Sequence, residues 1–296
     1  MQINRGGNQY QSITIDGVER HYIIHIPPSY DKSAAVPLLI MLHGAGHTAL
    51  GALDSTGWTK VADEECFLVV FPDATRADPL LPPSFLRNPQ VWNDGSSRAH
   101  TGSHNIDDTG FICKLIDTLE SKYVIDSSKI FIAGFSNGAS MSYRLGVELS
   151  DKIAAIAPVS GHLWLKPQPL LHPVSLIAIA GVDDPINPLY GGEVETPWWG
   201  KEYKPSISDA VTRWAEMLTC GCEPSIQYYH SGIRKISYEE CKDNAKVLFY
   251  IVDGLGHHWP GGKPLLNERI AGKQSNKVSA TELIWQFFVT ITGNRF

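Results

Sequence analysis

Six short, nearly unbroken apolar segments, each bounded by turn residues, constrain the fold of this chain more than any other feature. Each has the length of a strand, and an almost purely apolar run suits a strand that is covered on both faces, as in a parallel sheet. The six segments are residues 37–42, 67–71, 129–133, 154–159, 174–179 and 247–252. They predict a buried, mostly parallel central sheet.

Segments with helical spacing alternate with these runs. They are residues 58–65, 107–123, 137–149, 206–218 and 279–289. Strands that alternate with helices predict an α/β fold with right-handed crossovers, and residues 12–26, which alternate around Asp16-Gly17, predict a leading antiparallel hairpin. We therefore expect one α/β domain over residues 1–296, with a mostly parallel central sheet, an N-terminal antiparallel hairpin and helices on both faces.

Two stretches interrupt this rhythm. Residues 74–105 are rich in Pro, Asn, Asp and Gly, and residues 185–205 carry Pro185, Pro188, Pro197 and the pair Trp198-Trp199. Long loops inside a compact domain are usually functional, so we expect both stretches to shape a site.

Composition excludes several classes of function. The 296 residues are 43% hydrophobic and 19% charged, which is ordinary for a folded protein and excludes a disordered chain. Lys and Arg number 25 and Asp and Glu number 31, so the net charge is −6. A mildly acidic chain without a long basic run is a poor partner for nucleic acid, and no apolar run approaches the roughly 18 residues that span a bilayer. We expect neither a nucleic-acid nor a membrane partner.

A candidate nucleophile lies in the motif Gly134-x-Ser136-x-Gly138. The motif follows the apolar run 129–133 directly and precedes a predicted helix. A sharp strand-to-helix turn places the serine at the sheet edge, in a strained conformation that requires small neighbours, and the helix N-terminus adds unpaired N–H groups beside it. The alternative is an ordinary glycine-rich turn with a capping serine, which the context disfavours.

A serine nucleophile requires a base, and two adjacent histidines are candidates. His257 and His258 follow the last apolar run, where this order of motifs places the base. Gly256 permits a sharp turn before them. Either imidazole could serve, and His257 is preferred.

The acid that orients the base is expected after the run 174–179. Asp183 and Asp184 lie there, followed by Pro185, which holds Asp184 extended. Asp184 is preferred, and a pair of solvated turn aspartates is the alternative.

Donors for an oxyanion are predicted in the segment His43-Gly44-Ala45-Gly46, which follows the run 37–42. Segments of this type point backbone N–H groups at a substrate carbonyl. The N–H groups of Ala45 and Asn137 are the candidates, and His43 is expected to orient the loop.

Tryptophans in the predicted loops are candidates for contact with substrate. Aromatic walls suit an aromatic acyl group, a sugar ring or an apolar chain, although each ring could instead anchor a loop. The predicted loops contain Trp92, Trp164, Trp198, Trp199 and Trp259, and the candidates among them are Trp92, Trp198, Trp199 and Trp259.

Taken together, the motifs LHGAGHTA, WNDG, GFSNGASMSYRL, GVDDPINP and GLGHHWPGG resemble the polyhydroxybutyrate-depolymerase/feruloyl-esterase group of the α/β-hydrolases, over about residues 12–290. The resemblance implies a serine carboxylic-ester hydrolase that forms an acyl-enzyme, with Ser136 as nucleophile, Asp184 and His257 as partners, and neither metal nor cofactor. It implies a feruloyl-esterase-like activity on plant cell-wall or aryl esters. The alternatives are a polyhydroxybutyrate depolymerase, an acetyl xylan esterase and, more remotely, a non-catalytic binding protein.

The resemblance also implies a disulfide between Cys222 and Cys241, although Cys220 departs from the pattern of the group. The first residues lack the apolar run of a signal peptide. We expect a secreted or periplasmic protein whose signal peptide is absent from this sequence, and a cytoplasmic location is the alternative.

A metal-dependent hydrolase is a rival interpretation. His43, His47, His257 and His258 could supply ligands, but no H-x-x-x-H of a zinc site lies on a predicted helix.

Overall fold

A ten-stranded sheet runs through the described part of the chain, which in this computed structural model comprises residues 7–15, 17–96, 98, 106–196, 200–221 and 223–291. The described strands, all but the eighth and ninth of which belong to this sheet, are β1 (Gly7–Ile15), β2 (Val18–Ile26), β3 (Val36–Leu42), β4 (Leu68–Pro72), β5 (Ile125–Phe135), β6 (Ala155–Val159), β7 (Ser175–Gly181), β8 (Gly192–Thr196), β9 (Gly200–Lys204), β10 (Ser225–Tyr229), β11 (Ile233–Tyr238) and β12 (Val247–Val252). The helices are α1 (Ala49–Thr56), α2 (Trp58–Glu65), α3 (Asp108–Lys122), α4 (Asn137–Glu148), α5 (Ile207–Met217), α6 (Glu268–Ala271) and α7 (Ala280–Val289).

The strand order in the large sheet is β1-β2-β4-β3-β5-β6-β7-β12-β11-β10. The strands from β4 to β12 in this order are parallel, and the predicted hairpin β1–β2 adds two antiparallel strands at one edge. Every one of the six apolar runs forms a strand of the sheet. The predicted fold class is therefore confirmed.

Helices cover both faces of the sheet, as predicted, because the parallel strands are apolar on both sides. One buried cluster includes Phe111 of α3, Tyr143 of α4 and Trp214 of α5. The other includes Trp58 of α2 and Trp285 of α7. Because helices cover both faces, the sheet is accessible mainly at the loops that follow its strand ends.

A buried ion pair fastens the N-terminal hairpin to the core. Arg20 of β2 lies 2.7 Å from the Asp108 carboxylate at the start of α3, and its guanidinium lies 3.9 Å above the Phe111 ring. Asp108 also accepts a hydrogen bond from the Asn93 backbone N–H. Burial raises the pKa of Asp108, and the Arg20 charge opposes that shift.

Several elements differ from the sequence prediction. The stretch 185–205, predicted as a long loop, contains the two-stranded sheet β8–β9. A second antiparallel pair, β10 and β11, extends the far edge of the main sheet. Helix α1 was also not predicted. Among the described helices, none is long and apolar enough to cross a membrane.

The predicted disulfide is wrong in one partner, because Cys241 is bonded to Cys220. Helix α5 ends at Met217, and the Lys242 N–H donates to the Leu218 carbonyl over 2.9 Å. This contact holds the turn after α5 against Cys241. Cys222 lies outside the described residues.

Candidate active site

Ser136 stands at a sharp turn between β5 and α4. Its backbone has φ 56° and ψ −117°, outside the regions that a serine usually adopts. The turn needs glycine on both sides, because a Cβ at Gly134 would collide with the Gly138 carbonyl and a Cβ at Gly138 would collide with the Leu42 carbonyl. The Gly-x-Ser-x-Gly sequence thus permits the close approach of β3, β5 and α4 that exposes the Ser136 hydroxyl at the strand end.

The structure brings Ser136, His257 and Asp184 together from three distant segments. His257 Nε2 lies 2.9 Å from Ser136 Oγ, and His257 Nδ1 lies 2.8 Å from Asp184 Oδ2. A carboxylate only accepts hydrogen bonds, so Nδ1 carries the proton and Nε2 is left to accept from the serine hydroxyl. The hydroxyl is therefore placed to lose its proton to the imidazole.

Backbone donors fix the Asp184 carboxylate. Its Oδ1 accepts hydrogen bonds from the N–H groups of Ile186 and Asn187, at 2.9 and 2.8 Å. The neighbouring Asp183 is exposed. Of the two aspartates left open by the sequence, only Asp184 reaches the imidazole.

The second histidine of the pair takes another position. His258 is buried, and its Nε2 lies 2.9 Å from the carbonyl oxygen of Gly272. His257, by contrast, has its ring 4.8 Å from the Phe135 ring, centroid to centroid.

Two backbone N–H groups are available for an oxyanion. Ala45 and Asn137 line the same small pocket as Ser136. Within the described part of the chain, neither of their N–H groups donates a hydrogen bond. Buried N–H groups are rarely left unpaired, so these two are positioned to donate to a ligand oxygen.

Trp92 and His43 hold the Ala45 loop. The Trp92 indole N–H donates to the His43 carbonyl over 3.0 Å, and the Trp92 backbone N–H donates to the Asn137 side chain over 2.7 Å. His43 Nε2 accepts from the Ala74 N–H. Burial lowers the pKa of His43, which keeps this acceptor neutral.

A chain of ion pairs links β9 to Asn137. Lys204 lies 2.9 Å from Glu202, Glu202 lies 3.0 Å from Arg98, and Arg98 lies 3.0 Å from Asp94. Asp94 then accepts a hydrogen bond from the Asn137 side chain. Burial lowers the pKa of Lys204 to about 8, and the pKa of Glu202 is lowered by the charges of Lys204 and Arg98 against the opposing effect of burial.

The pocket at Ser136, which we call the polar pocket, is small. It offers about 10 Å³ for the centre of a water-sized molecule, roughly what one water needs. Besides Ala45, Ser136 and Asn137 it is lined by Arg98, Ser140, His162, Ile186, Asn187 and Lys204.

A second pocket, which we call the apolar crevice, borders His257. It offers about 20 Å³ and presents mostly apolar surface, to which Met41, Phe135, Trp259, Leu265 and Leu266 contribute. His47 also lines it, and burial lowers the pKa of His47 to about 4.

The predicted substrate-binding tryptophans have separate positions. Trp92 is 1% exposed and stacks on Phe111, so it supports the loop and does not present a face to substrate, contrary to the prediction. Trp259 lines the apolar crevice, and its indole N–H donates to Thr281 over 3.0 Å. Trp198 and Trp199 lie outside the described residues.

Sequence reasoning missed His162, Asn187, Arg98 and Lys204 as residues of the site. Only His162 carried a usable signal, since it follows the apolar run 154–159 and the ends of parallel strands gather at one edge. Among the described residues, no three His, Cys, Asp or Glu side chains are grouped so as to bind a metal ion.

Comparison with known proteins places this geometry in a family. The model of the phospholipase/carboxylesterase family matches residues 29–197, more than half of the chain. Feruloyl esterase B of Piromyces equi is 28% identical over 251 residues, covering 82% of this chain and 44% of that protein, so the chain spans less than half of this relative. A protein of Nocardia uniformis subsp. tsuyamanensis, NocK, described only as an esterase, is 25% identical over 294 residues, covering 94% of this chain and 82% of that protein.

The fold is also that of a solved esterase. Acetyl xylan esterase from Aspergillus awamori superposes with a TM-score of 0.61 at 14% identity, covering 95% of this chain and 99% of that one. The chain therefore belongs to the phospholipase/carboxylesterase family of α/β-hydrolases and is a carboxylic-ester hydrolase.

Proposed function

We propose that Ser136, His257 and Asp184 form the catalytic triad of this esterase and that the Ala45 and Asn137 N–H groups form its oxyanion hole. The observation that carries the proposal is the unbroken line of contacts from the Ser136 hydroxyl through both ring nitrogens of His257 to the Asp184 carboxylate. Serine esterases need these three groups in this order.

The geometry supports a two-step reaction. Ser136 Oγ attacks the ester carbonyl carbon as His257 Nε2 takes its proton, and His257 then returns the proton to the leaving alcohol. The acyl group remains bonded to Ser136 Oγ. A water molecule that loses its proton to His257 attacks the acyl carbon, and the carboxylic acid leaves as Ser136 regains its proton. Asp184 stabilises the imidazolium in both steps.

The oxyanion forms beside the two N–H groups that have no other partner among the described residues. Each such donor contributes on the order of 3 kcal/mol to the stability of the transition state. Ser136 and Asn137 follow one another at the strained turn and both line the polar pocket.

For the natural substrate, we propose an ester of the plant cell wall. Feruloyl esterase B of Piromyces equi is among the relatives, which favours an ester of an aromatic acid. A ferulate ring would have to lie outside the polar pocket, since that pocket holds only a water-sized group. An acetyl ester of xylan is therefore a second candidate, favoured by the size of the pocket. Initial rates on methyl ferulate, acetylated xylan and short polyhydroxybutyrate oligomers distinguish these substrates from the polyester alternative.

The Cys220–Cys241 disulfide supports a location outside the reducing cytoplasm. We propose that the protein is secreted or periplasmic. Free-thiol titration of protein purified from the native culture medium tests this location.

The triad is tested by replacing the nucleophile. Ser136→Ala should reduce turnover of phenyl acetate by at least roughly 10⁴-fold, the scale of loss when a triad serine is removed. Ser142→Ala is the matched control, because Ser142 is a buried serine of α4 whose hydroxyl donates to the Ala139 carbonyl, outside both pockets. Turnover by Ser136→Ala at the level of Ser142→Ala would refute the assignment.

A further inference from the structure

Three polar atoms of the polar pocket have no hydrogen-bond partner of ordinary geometry among the described residues. They are both ring nitrogens of His162 and Oδ1 of Asn187. His162 is 1% exposed and Asn187 is 3% exposed, and both line the pocket with Ser136. Buried polar groups are normally paired, so three in one small pocket beside the nucleophile indicate a missing polar partner.

The other contacts of these residues hold them in place. The His162 backbone N–H donates to Ser140 Oγ over 3.0 Å, and the Asn187 side-chain N–H donates to the Ser160 carbonyl over 2.6 Å. Asn187 also donates through its backbone to Asp184. The Asn187 side chain and the His162 backbone are thus held at the pocket wall, and the three polar atoms above remain unsatisfied.

The imidazole of His162 is neutral. Burial lowers its pKa well below the usual value, and the nearby charges of Lys204 and Arg98 lower it further. The polar side chain of Asn187 has the opposite effect on this pKa, which is weaker than that of burial. A neutral imidazole offers one N–H donor and one acceptor nitrogen, and Asn187 Oδ1 offers a second acceptor. A single hydroxyl group can accept from the imidazole N–H and donate to Asn187 Oδ1, which pairs two of the three atoms.

The lining of the pocket points to the same kind of group. Arg98 and Lys204 also face this space, whereas their carboxylate partners Asp94 and Glu202 do not line it. Cationic side chains favour an electron-rich oxygen over a methyl group. Because the space holds about one water-sized group, the oxygen must lie close to the reacting carbonyl.

We propose that, besides the esters named above, the enzyme accepts esters of short 2-hydroxy acids, and that His162 and Asn187 bind the hydroxyl of the acyl group. This inference rests on the proposed function, since it places the acyl carbonyl at Ser136 and in the oxyanion hole. It makes His162 a specificity-determining residue of the polar pocket.

The test compares two esters of the same size and the same alcohol. Ethyl lactate carries a hydroxyl where ethyl isobutyrate carries a methyl group, so the ratio of their kcat/KM values reports recognition of the hydroxyl. In His162→Phe this ratio should fall roughly tenfold from its wild-type value, which corresponds to one hydrogen bond of ordinary net strength. In His162→Gln, which keeps a donor and an acceptor, most of the wild-type ratio should remain.

His47→Phe is the matched control. This variant makes the same histidine-to-phenylalanine change in the apolar crevice. Its lactate-to-isobutyrate ratio should stay at the wild-type value. The ratio is measured within each variant, so a general loss of activity cancels.

An unchanged ratio in both His162 variants would overturn the proposal and indicate that the polar atoms bind only an ordered water. That outcome leaves the esterase mechanism intact, since it depends on Ser136. Loss of the Ser136 dependence of phenyl acetate turnover, by contrast, would overturn the proposed function itself.

Discussion

The two pockets that border the Ser136–His257 pair differ in how they are completed. The apolar crevice is bordered by packed rings, such as the Trp259 ring 6.4 Å from the Trp58 ring, centroid to centroid, and one polar atom of its lining, His47 Nε2, has no partner among the described residues. The polar pocket leaves the side-chain nitrogens of His162 and two backbone N–H groups without partners among the described residues. The crevice therefore borders His257 mainly with apolar surface, whereas the polar pocket is the one that we propose a ligand completes.

Among the variants in this comparison, Asp184→Asn should cause the largest loss of activity, because Asp184 contacts His257 Nδ1. An asparagine in this place favours the wrong tautomer of His257, and the expected loss in kcat for phenyl acetate is about 10⁴-fold. Asp183→Asn changes an exposed carboxylate and should cost less than threefold. Steady-state kinetics of both variants decide between the aspartates, and a larger loss for Asp183→Asn would reassign the acid.

Trp259→Ala tests whether the apolar crevice belongs to the core. Removal of a buried indole should lower the free energy of unfolding by roughly 3–5 kcal/mol, measured by urea denaturation. Trp164→Ala, on the side of Arg98, removes a half-buried ring and should cost less than half as much. Equal losses of unfolding free energy in Trp259→Ala and Trp164→Ala would contradict the assignment of the apolar crevice to the core.

Cys220→Ser should destabilise the protein without altering either pocket. The disulfide closes a loop of 21 residues in the unfolded chain, so its loss should lower the free energy of unfolding by about 3 kcal/mol. Cys113→Ser, which changes an unpaired cysteine, is the control and should stay within about 1 kcal/mol of the wild type. A lower lactate-to-isobutyrate ratio in Cys220→Ser would contradict the separation of the disulfide from the site.

His47→Gln should weaken the acid sensitivity of the fold. The pKa of His47 is about 4 in the folded protein and about 6.5 in the unfolded chain, so between these values the unfolded chain binds more protons. Stability therefore falls as the pH falls, by about 2 kcal/mol between pH 7 and pH 5 for this one residue.

Urea denaturation at the two pH values measures that difference, and it should shrink by about the same amount in His47→Gln. His172→Gln changes an exposed histidine and should leave the difference as it is in the wild type. A His47→Gln protein with the full wild-type pH dependence would show that His47 is not buried as a neutral group.

The sequence predicted the buried sheet well because its strands are apolar on both faces, which leaves an unambiguous pattern. The two hairpins β8–β9 and β10–β11 left no such pattern. All five residues of β10 (Ser225–Tyr229) are exposed, so the strand forms through backbone pairing with β11 and not through an apolar face.

The residues of the site also differ in whether the sequence could predict them. Ser136, Asp184 and His257 could be predicted because each follows an apolar strand, and strand order alone sets where they lie. The polar pocket could not, because Arg98, His162 and Lys204 come from three separate segments that meet only in the folded chain. The disulfide partner was missed for a similar reason, since the turn after α5 decides which cysteine reaches Cys241.

The central claim is that Ser136 is the activated nucleophile, and labelling with a fluorophosphonate tests it most directly. The account predicts one adduct per chain, located at Ser136 by peptide mass spectrometry and absent from Ser136→Ala. An adduct on any other residue, or undiminished labelling of Ser136→Ala, would contradict it.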